Sequence, residues 1–189
     1  QNWGSGTGRA GTLTVTQTTD QIFTGWIRNS DNNAGNVLNL TKEGTATLGF
    51  SGPTYYTGTS TVNAGRLLFN AWSGSSRYDI GAAGIVEFNT AAGVGQDMAA
   101  TSFNGAGILR KSGAGTIVWG AAPAVFNLGS GAIIDVQGGL FVAGSYGNEN
   151  WTNNKADLNI AAGAVFSTVE ANVKVDALTG AGTFRTGYT

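Results

Sequence analysis

The chain has 189 residues, a formal net charge of -1, and only 11% charged residues, against about a quarter in typical domains. It contains 31 glycines, two prolines, and neither cysteine nor histidine. This excludes disulfide frameworks, cysteine-based zinc sites, thiol nucleophiles and all imidazole chemistry.

No Lys/Arg cluster exists to neutralise phosphates, so nucleic acid and anionic membrane surfaces are not expected partners. No apolar run approaches the ~20 residues of a membrane helix. No signal peptide is recognised, and Gln1 reads as a processed start or a cut boundary. Hydrophobic residues at 41% and aromatics at 10% predict a folded core. The length predicts one domain over residues 1–189.

Apolar residues do not recur at helical spacing. Short alternating runs follow glycine instead. In chain order they are Gly11-Thr-Leu13-Thr-Val15, Gly65-Arg-Leu67-Leu-Phe69, Gly84-Ile-Val86-Glu-Phe88, Gly115-Thr-Ile117-Val-Trp119, Gly131-Ala-Ile133-Ile-Asp135 and Gly163-Ala-Val165-Phe166. In each, positions two and four after the glycine share a strand face. Tight hairpin dipeptides are scarce, Asn104-Gly105 being the clear one.

The chain also repeats itself. Leu40-Thr-Lys42-Glu-Gly44-Thr-Ala-Thr47-Leu48-Gly-Phe50 aligns without a gap with Leu109-Arg-Lys111-Ser-Gly113-Ala-Gly-Thr116-Ile117-Val-Trp119. Looser copies start at Val62, Ile80 and Ile160. An internal repeat without hairpin signals predicts a solenoid of parallel strands rather than a sandwich. At roughly 20–25 residues per coil the length predicts about eight coils. Caps are expected in residues 1–10 and 170–189, because a bare end exposes strand edges. Asn and Thr are expected to ladder between successive corners.

The stretch Leu40 to Gly65, with its Lys42-x-Gly44, Tyr56-Thr57-Gly58 and Ala64-Gly65 elements, resembles the passenger-associated strand repeat of bacterial autotransporters. Residues 105–120 and Ala177 to Phe184 look like looser copies. The resemblance implies an all-β, right-handed parallel β-helix that is secreted or displayed at the cell surface. The family's C-terminal β-barrel translocator is not found in this sequence.

Function must come from side chains the coil does not need. Phe50, Phe69, Phe88 and Trp119 fall at inward positions and are assigned to the core. Tyr56 belongs to the repeat's own turn, and Trp3 is assigned to capping the first coil. Three polar stretches each combine aromatic plates with hydrogen-bonding groups. One holds Trp26, Arg28, Asn29 and Asp31. A second holds Trp72, Arg77, Tyr78 and Asp79. The third holds Tyr146, Asn148, Glu149, Asn150 and Trp151.

A sugar ring packs its C–H face on an aromatic plate, and its hydroxyls pair with amides, carboxylates or guanidinium groups. The expectation is therefore a non-catalytic carbohydrate-binding module. It would take a plant cell-wall polysaccharide, xylan favoured, and be attached to a glycan-degrading enzyme. The alternative for each cluster is to cover loop bases or cap coil ends, and which cluster binds is left open. The competing readings are a passenger-like stalk without a small ligand and a β-helical lyase. No close carboxylate pair is visible in the sequence, and no calcium-loop motif. No cofactor, metal or catalytic residue is assigned. The aligned pairs Lys42-Glu43 and Arg110-Lys111 are expected to form a surface ladder.

Overall fold

A computed structural model describes residues 8–29, 35–98, 101–119, 124–144 and 149–187. The chain winds as a right-handed parallel β-solenoid of about seven turns, with no helix among the described residues. Every named strand pair is parallel.

Each coil has three sides. The first side stacks Ala10–Thr16, Val37–Glu43, residues 59–62, residues 77–80, Ser102–Gly105 and Val125–Leu128. The second stacks Gln21–Phe23, Thr47–Phe50, residues 64–69, residues 83–89, Ile108–Ser112, Ile133–Val136, Asp157–Ile160 and Leu178–Gly180. The third is a five-stranded sheet of Gly95–Asp97, Thr116–Val118, Leu140–Val142, Val165–Ser167 and Thr183–Arg185.

Seven register steps join the eight strands of the second side, in line with the expected count of about eight coils. The steps from Gln21 to Leu178 are 27, 19, 19, 23, 25, 24 and 20 residues. Part of the chain is spent in longer loops at some coils. The cap expected in residues 1–10 falls mostly outside the described residues, and within residues 170–187 the strands Leu178–Gly180 and Thr183–Arg185 continue the stack; Ala10–Thr16 is the first described strand. Leu13, Ile22, Phe23, Leu178 and Phe184 are accordingly exposed at the two ends.

Alternation drives the interior. Because successive side chains point to opposite faces, one column of inward residues forms per strand position. The column Leu48–Leu67–Val86–Leu109–Ile134–Leu158 is buried throughout. Phe50, Phe69 and Phe88 stack in the next column, with centroids 5.6 and 5.4 Å apart. Trp119 is buried against Phe88 and Phe103. Tyr56 is buried and bonds Ser60. All five are core residues, as their positions in the repeat predict. Trp3 lies outside the described residues.

The internal repeat proves to be a corner rather than a coil. Leu40 to Phe50 turns from the first side to the second, whereas Leu109 to Trp119 turns from the second to the third. Both use the same device. Lys42 points inward, and its ammonium donates to Glu43 O, Gly44 O and Ala64 O at 2.6, 2.8 and 3.4 Å. Lys111 donates to Ser112 O, Gly113 O and Gly138 O at 2.6, 2.9 and 3.1 Å. Both side chains are fully buried. Each cation gathers carbonyls at the corner, one of which (Glu43 O or Ser112 O) also accepts a backbone N–H from the preceding coil, and ties them to the next coil. Burial draws Lys111 down to about 8 and lowers Lys42 as well.

This overturns the expected surface ladder of Lys42-Glu43 and Arg110-Lys111. The real ladder runs along the outer face of the second side. Arg66 and Arg110 both reach Glu87, at 3.2 and 3.7 Å, and Arg110 also holds Asp135 at 2.8 Å. Asn159 donates to Asp135 and Thr179 to Asn159. One amide pair forms between corners, Asn89 to Asn70, and another, Asn127 to Asn104, joins the outer faces of paired strands.

Candidate functional site

Among the described residues before Gly95 the third side carries no strand; it holds the isolated bridges Arg28 with Tyr55 and Thr54 with Ser73. Pro53 has no N–H to give, which limits regular pairing here. Tyr55 N donates to Ile27 O at 2.8 Å, Thr54 N to Trp72 O at 3.0 Å, and Gly74 N to Thr54 O at 3.0 Å. Along this line Ile27, Thr54 and Ser73 face inward and are buried. Their neighbours face outward by the same alternation.

The outward neighbours are aromatic on three consecutive coils. Trp26 is 73% exposed, Tyr55 47% and Trp72 40%. Trp26 lies 6.3 Å from Tyr55 and Tyr55 6.0 Å from Trp72, centroid to centroid. The planes are turned by 56° and 46°. The Arg28 guanidinium carbon sits 5.8 Å from the centre of the Trp26 ring, within cation–π range. Trp72 lies over Gly74, where an added Cβ would stand 3.0 Å from its Cη2. Trp26 also borders an apolar cavity of about 330 Å³ lined by Leu13, Val15, Phe23, Ile27, Leu48 and Phe50.

Beneath the rings the interior is hydroxylic. Tyr78 donates to Ser73 at 2.7 Å, and Thr54 to Ser73 at 3.2 Å. Tyr56 and Ser60 are 2.7 Å apart, and Ser60 donates to Ser75 at 2.9 Å. Ser75 reaches Gly58 O and Arg77 O. Burial pushes both phenols up, so they stay protonated and can donate. This satisfied network fixes the backbone that carries the outer rings.

Two expected ligand-binding aromatics are elsewhere. Tyr78 and Trp151 are 0% and 1% exposed. They belong to one inward column of the first side, Leu40–Ser60–Tyr78–Phe103–Phe126, which Trp151 extends by stacking on Phe126 at 3.8 Å. Their polar neighbours are the outward half of a strand or bridge, not a loop. The signal was present: Tyr78-Asp79, Phe103-Asn104 and Phe126-Asn127 share one aromatic–polar alternation.

The polar candidates scatter. Asn29 is occupied structurally: it donates to Thr57 Oγ1 and accepts from Leu38 N and Thr57 N. Arg77 holds Asp79 in an exposed pair at 2.8 Å. Asn150 accepts from Thr152 N. A Glu149 carboxylate oxygen packs close to Gly144. Asp31, Tyr146 and Asn148 lie outside the described residues. Of the expected set, the structure gathers Trp26, Arg28 and Trp72 around Tyr55 and separately pairs Arg77 with Asp79.

The member that sequence reading missed is Tyr55. It directly precedes Tyr56 in a bridge segment, so once Tyr56 is inward Tyr55 must face out.

A second concave region, about 500 Å³ and lined by Asp20, Thr47, Arg66, Ile85 and Arg110 among others, runs beside the charge ladder. Its arginines are engaged by Glu87 and Asp135. Among the described residues no group of three or more acids could hold a metal ion. No known family profile, no curated protein and no solved structure matches this chain.

Proposed function

We infer that the protein is an extracellular, non-catalytic carbohydrate-binding module that grips a plant cell-wall polysaccharide, xylan favoured, on the Trp26–Tyr55–Trp72 ladder. In its parent protein it serves an attached glycan-degrading enzyme. The supporting observation is three contacting, solvent-exposed rings on consecutive coils, beside the Arg28 guanidinium. Exposed plates of this kind offer apolar area that a sugar C–H face covers well. Affinity electrophoresis against xylan, β-glucan, mannan, pectin and cellulose tests the reading. Xylan should retard the protein, and Trp26→Ala or Trp72→Ala should abolish the shift. Equal mobility in all five gels sinks it.

One observation favours the stalk reading instead. Both end coils expose inward-type residues, Leu13 and Phe23 at one end and Leu178 and Phe184 at the other. Stacking of coils on those ends would suit an extended rod. The same electrophoresis separates the two, since a rod without a ligand is not retarded.

A further inference from the structure

The ladder's geometry goes further than the sugar class. Resting on the carbohydrate reading, we propose that the ladder binds a single twisted chain of an extended β-linked glycan laid along the solenoid axis, one sugar per coil. It does not take the flat face of a crystalline polysaccharide or a coiled α-linked chain.

Three observations carry this. First, the rings come one per coil. The bridges Arg28–Tyr55 and Thr54–Ser73 put Trp26, Tyr55 and Trp72 on successive turns. Successive turns of a sheet lie about 4.8 Å apart, close to the rise of one pyranose in an extended equatorially linked chain. Solenoid and glycan thus keep step over all three rings. An α-linked chain winds away from a straight line and meets one ring, then leaves.

Second, the ring centres are 6.3 and 6.0 Å apart, longer than the coil spacing. By the bridge register Tyr55 stands beside Arg28, while Trp26 and Trp72 share the neighbouring column. The path zigzags, which suits a chain that turns at each linkage.

Third, the planes are turned by 56° and 46°. A crystal face needs coplanar plates, and these are not. A soluble chain can rotate each sugar to meet each plate. Gly74 sets the last plate by letting the Trp72 indole lie over the backbone.

The test is calorimetric titration of the intact chain with β-1,4-linked xylo- and cello-oligosaccharides of two to six sugars. Malto-oligosaccharides and depletion by microcrystalline cellulose complete it. Affinity should rise about tenfold from two sugars to three and level off soon after. Malto-oligosaccharides and crystalline cellulose should not bind. Tyr55→Ala should erase the gain from the third sugar. Gly74→Ala keeps all three rings but displaces one, so it should erase the same gain without removing an aromatic, and near-ultraviolet circular dichroism checks that both variants fold. Affinity independent of length, preference for malto-oligosaccharides, or depletion by crystalline cellulose overturns the axial single-chain arrangement while leaving sugar binding intact. Silence toward every glycan overturns both.

Discussion

The third side of the solenoid is built in two ways. From Gly95 onward it is a regular sheet with Ile117, Phe141 and Phe166 stacked inside. In the first three coils it has no strand among the described residues, hydroxyls inside and aromatic rings outside. The late region buries its rings to hold the fold. The early region turns its rings outward and holds its backbone with buried hydroxyl pairs. Chain length per coil does not set the difference: the coil that carries Trp26 spends 27 residues without a strand there, whereas the last step, of 20, includes Val165–Ser167. A side freed from pairing can vary its outward residues at small cost to stability.

The comparison breaks most easily at the buried rings. Trp119→Ala or Trp151→Ala should cost ~3–5 kcal/mol, as large core truncations do. Chemical denaturation reads this directly. A loss under about 1 kcal/mol at Trp151 would return it to the surface, in the range typical of exposed substitutions.

Next come the caged lysines. Lys111→Met keeps most of the volume but removes the donor shared by the Gly113 and Gly138 carbonyls and leaves Ser112 O with Thr90 N alone. The expected loss is ~2–3 kcal/mol, from buried acceptors left unmade. Lys42→Met should behave alike, since it serves the equivalent corner. A neutral result at both would mean that the cage holds nothing.

The charge ladder gives a pH test. Burial alone would raise the Asp135 carboxyl, but hydrogen bonds from Asn159, Gln137 and Arg110, with the Arg110 charge, outweigh it and hold the group below its ordinary value of 3.8. A carboxyl lowered on folding stabilises above its unfolded pKa and loses that contribution as pH falls through its folded one. Stability should therefore decline as pH drops below about 4, and Asp135→Asn should flatten that part of the acid limb. An unchanged slope in the variant would remove Asp135 from the account.

The sequence carried the coil but not its phase. Alternation after glycine located the strands, and the repeat located the inward Phe column. The repeat did not say which corner each copy makes, because the same strand–turn–strand unit serves different corners. That hid the inward lysines, whose type suggests a surface until three carbonyls are seen around them. It also hid Tyr78 and Trp151, since polar neighbours look the same in a loop and on the outer face of a strand. Trp26 and Trp72 were readable as candidates. Tyr55 was not, because its direction depends on the bridge register of the coil before and the coil after.

The smallest expected effect on stability closes the contrast. Trp26→Ala and Trp72→Ala remove rings that are largely in water and beneath which the hydroxyl network is already complete. Each should cost no more than about 1 kcal/mol, the scale of surface changes and modest ring–ring contacts. Iodide quenching gives an independent view of the same division. In a Trp3→Phe parent background, emission should be quenched in part, and quenching should fall when Trp26 and Trp72 are both replaced, because the remaining Trp119 and Trp151 are sealed in the coil. If the double variant is quenched as strongly as the parent, the buried indoles are accessible and the early and late regions are not built differently after all.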